Sequence, residues 1–396
     1  MRHSYGRLIA FLSARTRDIA AAEDALSDAC AAALDHWRRD GPPANPEAWL
    51  LTAARRKLVD ASRRAQTRKA AEPDIARAIE DAYTLAGEHR LVDERLKLML
   101  ICAHPAIDGA VRTPLMLQTV LGLDAARIAS AFLVSPATMG QRLVRAKRKI
   151  AEARIAFAEP QSIEMASRAE AVLDAIYAAF GAGYDDAGDE AASADLKREA
   201  IFLGDIAARL FTANAEAYGL LALMTFIEAR RAARRASGRY VPLHDQDTAL
   251  WDADMIAAAE DALARAATFA SVGRYQLEAA IQSAHVSARL SGADTSGAIV
   301  RLYDRLMSVA PSMGAAIARA AAMLTAGRAS DALDALSALD EERLAAHQPY
   351  WATRAHALAA VGMNADARLA FDRAIGLTSD GATRRFLMDA KSGVPD

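Results

Sequence analysis

Proline and glycine, the two residues that interrupt helices, occupy only 12 and 21 of 396 positions in an alanine-rich chain. Proline removes a backbone donor and glycine forfeits helix stability, so their scarcity, with an apolar fraction of 53%, predicts an all-α protein. The length allows two or three domains, each able to bury a core. No run reaches the ~18 apolar residues of a membrane span. The opening MRHSYGRLIAFLSARTRD is too short in apolar length, and too interrupted by arginine, for a signal peptide. Cys30 and Cys102 form no CxxC pair and suggest neither a disulfide framework nor zinc. The expectation is a soluble, cytoplasmic protein with reduced thiols.

Net charge is −2, but it is unevenly spread: residues 1–70 carry 13 Lys/Arg against 8 Asp/Glu, and residues 127–154 carry 7 against 1. The remainder is acidic. Such asymmetry marks the basic stretches as candidates for nucleic acid.

Residues 1–66 read as helices from about Tyr5 to Arg64, broken at DGPPANPEAW, where Asn45 followed by Pro46 signals a new helix start. Residues 67–90 are polar and charged, the composition of a tether. Residues 91–158 form a second helical block, and within it LDAARIASAFLVSPATMGQRLVRAKRKI has the layout of a helix-turn-helix. Asp124 is placed to cap the first helix, with Ile128 and Phe132 inward. The turn runs through Leu133 and Val134, Ser135 caps the second helix, and Pro136 takes its first position. Residues 159–396 are helical and contain an internal repeat. Ala320, Gly327 and Ala332 recur 35 residues later as Ala355, Gly362 and Ala367. Trp351, Leu358, Phe371 and Ala374 complete the small-and-large pattern of a tetratricopeptide-like helical hairpin. Upstream of Ala315 the period degrades.

The second helix of the helix-turn-helix has two faces. Met139, Leu143, Ala146 and Ile150 form a buried stripe. Thr138, Gln141, Arg142, Arg145 and Lys149 form the opposite face, suited to the major groove, where Gln reads adenine and Arg reads guanine. Lys147, Arg148 and Arg154 suit phosphates. A second basic cluster, Arg55, Arg56, Lys57, Arg63, Arg64, Arg68 and Lys69 with the single acid Asp60, supplies sequence-independent affinity for a phosphate backbone. The bland readings are a solvated basic helix and a charged linker. Glu23, Asp24 and Asp28 make a carboxylate row on a helix whose Leu26 and Leu34 are expected inward. His104 has no second ligand beside it and reads as a core or turn histidine. There is no Gly-rich phosphate loop, no HExxH, no GxSxG and no nucleophile with a base, so the chain is not expected to be an enzyme or to hold a cofactor or metal.

EDALSDACAAALDHW, then NPEAWLLTAARRKLVDASRR, then a tether, then the helix-turn-helix ending in TMGQRLVRAKRKI: this order of parts resembles the extracytoplasmic-function sigma factors of the sigma-70 family, with region 2 at the N-terminus and region 4 after it. DERLKLMLICAHPAI, FGAGY and EARRAARRASGRYVPLHDQDTALWD are similar to stretches of the subgroup with a C-terminal tetratricopeptide-like extension. The resemblance implies binding to core RNA polymerase, its β′ and β subunits, and to promoter DNA. Asp24 and Asp28 would contact the β′ clamp helices. Trp49 would be a core residue, the helix from Ala53 to Arg64 would face the −10 element, and Thr138, Gln141, Arg142 and Arg145 would read the −35 element. Apart from the resemblance, the acidic balance of the C-terminal half beside the basic parts predicts that the repeats regulate the sigma part, by a protein partner or by contacting it. Two departures stand out. Ala54-Arg55-Arg56 replaces a common ARN, and Phe180 to Tyr184 reads FGAGY where relatives carry an FNEGY-like stretch. The alternatives are a helix-turn-helix regulator that needs no polymerase, and a helical-repeat scaffold.

Overall fold

The computed structural model describes residues 2–66, 88–132, 134–153, 155, 157, 162–185 and 190–395. Among them are eighteen α-helices and one two-stranded sheet, so the protein is all-α. It divides into two compact units, Met1–Phe211 and Thr212–Asp396.

The first unit holds α1 (Arg2–Thr16), α2 (Ile19–Asp40), α3 (Pro46–Gln66), α4 (Glu88–Cys102), α5 (Gly109–Thr119), α6 (Ala125–Ala131), α7 (Pro136–Glu152), α8 (Ser162–Asp185) and α9 (Glu190–Leu210). Local chemistry sets the boundaries. Asp18 caps α2 by accepting from the Ala21 N–H at 3.1 Å, Gly41 ends it at φ 77°, and Asn45 caps α3 through the Ala48 N–H at 3.0 Å. The expected tether lies almost wholly outside the described residues, and α4 already begins at Glu88.

Two expectations are corrected here. Leu34 is 61% exposed: it lies eight residues after buried Leu26, so at 100° per residue it is turned about 80° off the inward row. That row runs through Ala22, Leu26, Ala29 and Ala33. Trp49 is half-buried rather than core. It stands in the first turn of α3, stacked on His36 and edge-on to Trp37, both centroids 5.6 Å away near the end of α2.

The first compact unit runs on to Phe211 and so takes in α8 and α9. Helices α8 and α9 belong to the first unit because they are bonded into it. Arg168, 5% exposed, donates to the Leu100 carbonyl at 3.1 Å, and buried Arg95 of α4 pairs with Glu199 of α9.

The second unit holds α10 (Ala215–Ala229), α11 (Ala253–Ala267), α12 (Arg274–Ser291), α13 (Ser296–Val309), α14 (Met313–Thr325), α15 (Ala329–Ser337), α16 (Gln348–Ala360), α17 (Asn364–Leu377) and α18 (Gly381–Ser392). The 35-residue repeat is visible as geometry. The α14/α15 turn has Gly327 at φ 75°, with Arg328 N–H bonded to Met323 O at 2.9 Å. The α16/α17 turn has Gly362 at φ 81°, with Met363 N–H bonded to Leu358 O at 2.9 Å. Ala320, Ala332, Ala355 and Ala367 are all at 0% exposure, where facing helices touch. The spacing extends one step upstream, to Gly292 at φ 72° between α12 and α13. Between α10 and α11 a short hairpin, β1 (Arg235–Ala236) and β2 (Arg239–Tyr240), packs on α18: Arg235 pairs with Asp380 at 3.3 Å and Tyr240 meets Phe386 edge-on at 5.5 Å.

Candidate nucleic-acid interface

Helix α7 is positioned by its neighbours on both sides of the turn. Asp124 accepts from the Arg127 N–H at 2.8 Å to start α6, Ser135 accepts from the Thr138 N–H at 3.2 Å to start α7, and Pro136 occupies the first turn. Leu133 lies outside the described residues. Ile128 is 1% exposed and Phe132 is half-buried. The stripe Met139, Leu143, Ala146 and Ile150 is buried throughout, which fixes the rotation of α7 and turns Thr138, Gln141, Arg142, Arg145 and Lys149 to solvent. A row of two amide or hydroxyl groups and three cations on a rigid helix has donors and acceptors for base edges and charge for phosphates.

Lys147 is not on that face. It follows Leu143 by four residues and precedes Ile150 by three, so it shares their side of the helix, and its side chain is 9% exposed and paired with Glu23 of α2. The side chain expected to suit phosphate makes an internal ion pair in this structure. Burial raises the Glu23 carboxyl above its ordinary range, with Lys147 opposing. Arg148 is exposed, its Nε 3.4 Å from Glu152. Arg154 lies outside the described residues.

Beside α7 runs a groove of about 540 Å³, walled by Ile107, Asp108, Ala110 and Val111 on one side and by Arg142, Arg145, Arg148 and Lys149 on the other. Its first wall is the start of α5, capped by Asp108 accepting from the Ala110 N–H at 3.0 Å. Sequence reasoning missed this groove, although Asp108-Gly109 is a legible helix start. His104 is a turn residue, its Nδ1 accepting from the Ala106 N–H at 3.1 Å. Burial and the charge of Arg168 lower its pKa. Among the described residues no group of His, Cys, Asp and Glu is placed to hold a metal, and both cysteines are free thiols.

On α3, the consecutive residues Arg55, Arg56 and Lys57 turn through about 200° and so cannot share one face. Arg55 is half-buried, Arg56 and Lys57 are exposed, and Lys57 reaches Asp28 of α2 at 3.4 Å. Arg63 and Arg64 continue the helix; Arg68 and Lys69 lie outside the described residues. On α2, Asp24 and Asp28 are both exposed. No helix of the described residues is long and apolar enough to cross a membrane.

Comparison with known proteins adds three findings. Residues 1–68 match the family described as Sigma-70 region 2. Residues 168–267 match a Family of unknown function (DUF6596), a stretch that contains both Phe180 to Tyr184 and Glu228 to Asp252. The chain is 37% identical over 380 residues to Uncharacterized protein R00370 of Rhizobium meliloti (strain 1021), covering 94% of this chain and 89% of that protein. No solved structure matches.

Proposed function

The chain belongs to one family with the Rhizobium meliloti protein and, through its region 2, to the sigma-70 family, and from that premise we propose that it is an alternative sigma factor of the extracytoplasmic-function type. In this reading it binds core RNA polymerase and directs it to particular promoters. What supports the proposal is the presence, in one compact unit, of a match to sigma-70 region 2 and of two capped helices, α6 and α7, the second exposing Thr138, Gln141, Arg142 and Arg145, a pair we read as a helix-turn-helix. A regulator of the simple helix-turn-helix kind has no use for the first part.

Helix α3 with Arg55, Arg56, Lys57, Arg63 and Arg64 is the −10 surface in this reading, and α7 the −35 reader, with the groove beside it receiving the phosphate backbone. Asp24 and Asp28 dock the β′ clamp helices. The exposure of Leu34 supports this: Asp24, Ser27, Asp28, Ala31, Leu34 and Asp35 all face outward within about a third of a turn. An apolar residue set among carboxylates suits a basic, partly apolar protein surface better than it suits solvent. The second unit regulates the first through a protein partner or by contact with it, its hairpins being of the tetratricopeptide-like kind. Mixing the chain with core RNA polymerase and separating the mixture by size tests the proposal. Co-elution is expected, and its loss in Asp24→Arg/Asp28→Arg; a chain that never co-elutes contradicts it.

A further inference from the structure

Three arginines converge on a hollow in the first unit that none of the roles assigned above uses. It holds about 530 Å³ and is lined by Arg7, Arg95, Asp195, Arg198, Glu199 and Phe202. Helix α9 forms one wall: Asp195, Glu199 and Phe202 follow one another at four and three residues and so share a face, with Arg198 beside them. Arg7 comes from α1 and Arg95 from α4.

The three guanidiniums are incompletely matched. Each gives a terminal nitrogen to one carboxylate: Arg7 to Glu47, Arg95 to Glu199 and Arg198 to Asp195. The Nε atoms of Arg7 and Arg95 are nevertheless buried without a hydrogen-bond partner, and Arg95 is only 2% exposed. Burial and the neighbouring charge of Arg7 push the Arg95 guanidinium down to about 10. A buried donor on a charged group is costly to leave unpaired. An oxyanion bound by the planar guanidinium fork removes that cost. A bare anion, however, would also meet Asp195 and Glu199 on the α9 wall. The lining therefore suits a ligand that brings hydrogen-bond donors as well as an oxyanion. Phe202 adds a flat apolar surface: it is 42% exposed, with the Arg95 guanidinium 5.2 Å from its ring centroid. The volume is that of a small-molecule site.

We propose that this hollow binds a nucleotide, with its phosphates on Arg7, Arg95 and Arg198, its base against Phe202, and Asp195 accepting from a hydroxyl or amino group. The chain has no Gly-rich phosphate loop, so side chains rather than backbone hold the phosphates. None of these residues is among those assigned to DNA or polymerase, and the proposal does not depend on the sigma reading.

The test is isothermal titration calorimetry of the full chain against the ribonucleoside diphosphates and triphosphates, with inorganic pyrophosphate as the probe that lacks a base. At least one nucleotide should bind saturably at one site per chain, and more tightly than pyrophosphate. Arg198→Ala and Phe202→Ala, both at exposed positions, should each weaken that binding about tenfold or more. Arg209→Ala removes an exposed cation of the same helix outside the hollow and should leave it unchanged. Circular dichroism checks that the variants fold. Pyrophosphate held as tightly as every nucleotide would mean an adventitious ion only and would overturn the proposal. So would the absence of saturable binding up to about 1 mM, binding that survives both hollow variants, or an equal loss in Arg209→Ala.

Discussion

Replacing Gly327 by alanine isolates what the hairpin turn demands of the backbone. Gly327 sits at φ 75°, and a β-carbon built there meets nothing within 4 Å, so the substitution carries no steric term. What remains is the left-handed conformation itself, which costs an L-residue about 1 to 2 kcal/mol. The turn cannot relax easily, because Gly327 N–H is bonded to Leu324 O at 3.0 Å and Arg328 N–H to Met323 O at 2.9 Å. For a unit of 150 to 250 residues, each kcal/mol lowers the melting temperature by about 2 to 4 °C, so Gly327→Ala should lose about 2 to 8 °C. Gly362→Ala, at φ 81° and equally open, should lose the same amount. Gly314→Ala is the control: it lies within α14 with open space around it and no positive φ, and alanine there should be neutral or stabilising by up to about 1 kcal/mol. Thermal unfolding followed by circular dichroism reads all three. A Gly327→Ala chain as stable as wild type, or shifted in the same direction as Gly314→Ala, would refute the reasoning that the repeat is set by left-handed glycines.

Arg142→Ala should weaken binding to the cognate −35 duplex by about 1 to 3 kcal/mol and relax sequence preference; equal weakening on every duplex in a titration would make Arg142 a phosphate contact. Burial, with the charge of Arg230, holds His285 down at about 4 rather than 6.5, so the unfolded chain takes up a proton first. Stability is then complete above about pH 6.5 and declines as pH falls toward 4, by roughly 3 kcal/mol; denaturant titrations at pH 7.5 and 4.5 should show the loss, reduced in His285→Gln. Truncation after Phe211 should leave a soluble first unit with altered promoter-dependent activity, whereas truncation before Ser162 should destabilise it, since buried Arg95 then loses Glu199; gel filtration and melting curves of both fragments decide this, and equal stability would contradict it.

Features that depend on a few neighbouring residues were legible in the sequence: the caps Asn45, Asp124 and Ser135, the proline at the start of α7, and the stripe from Met139 to Ile150. Each is dictated by backbone groups or helix periodicity within one or two turns. Leu34 departs from this logic because an apolar residue near an apolar row reads as inward until its angle is counted. The repeat step at Gly292 was hidden because His285 stands where Ala320 and Ala355 stand in later copies, and a bulky residue masks the small-residue pattern while leaving the turn intact. Lys147 reads locally as one more cation on a basic helix. Its partner lies 124 residues away, and a pairing at that separation is set by how whole helices pack. For the same reason the bonds that tie Arg168 and Arg95 into the first unit left no mark in composition.

Run-off transcription over a library of bacterial promoter fragments, using core RNA polymerase with and without the chain, tests the central claim most directly. Defined transcripts that appear only when the chain is present are the predicted result. Silence from wild type and from the fragment ending at Phe211 alike, with the same core polymerase active on a control sigma factor, would contradict the assignment.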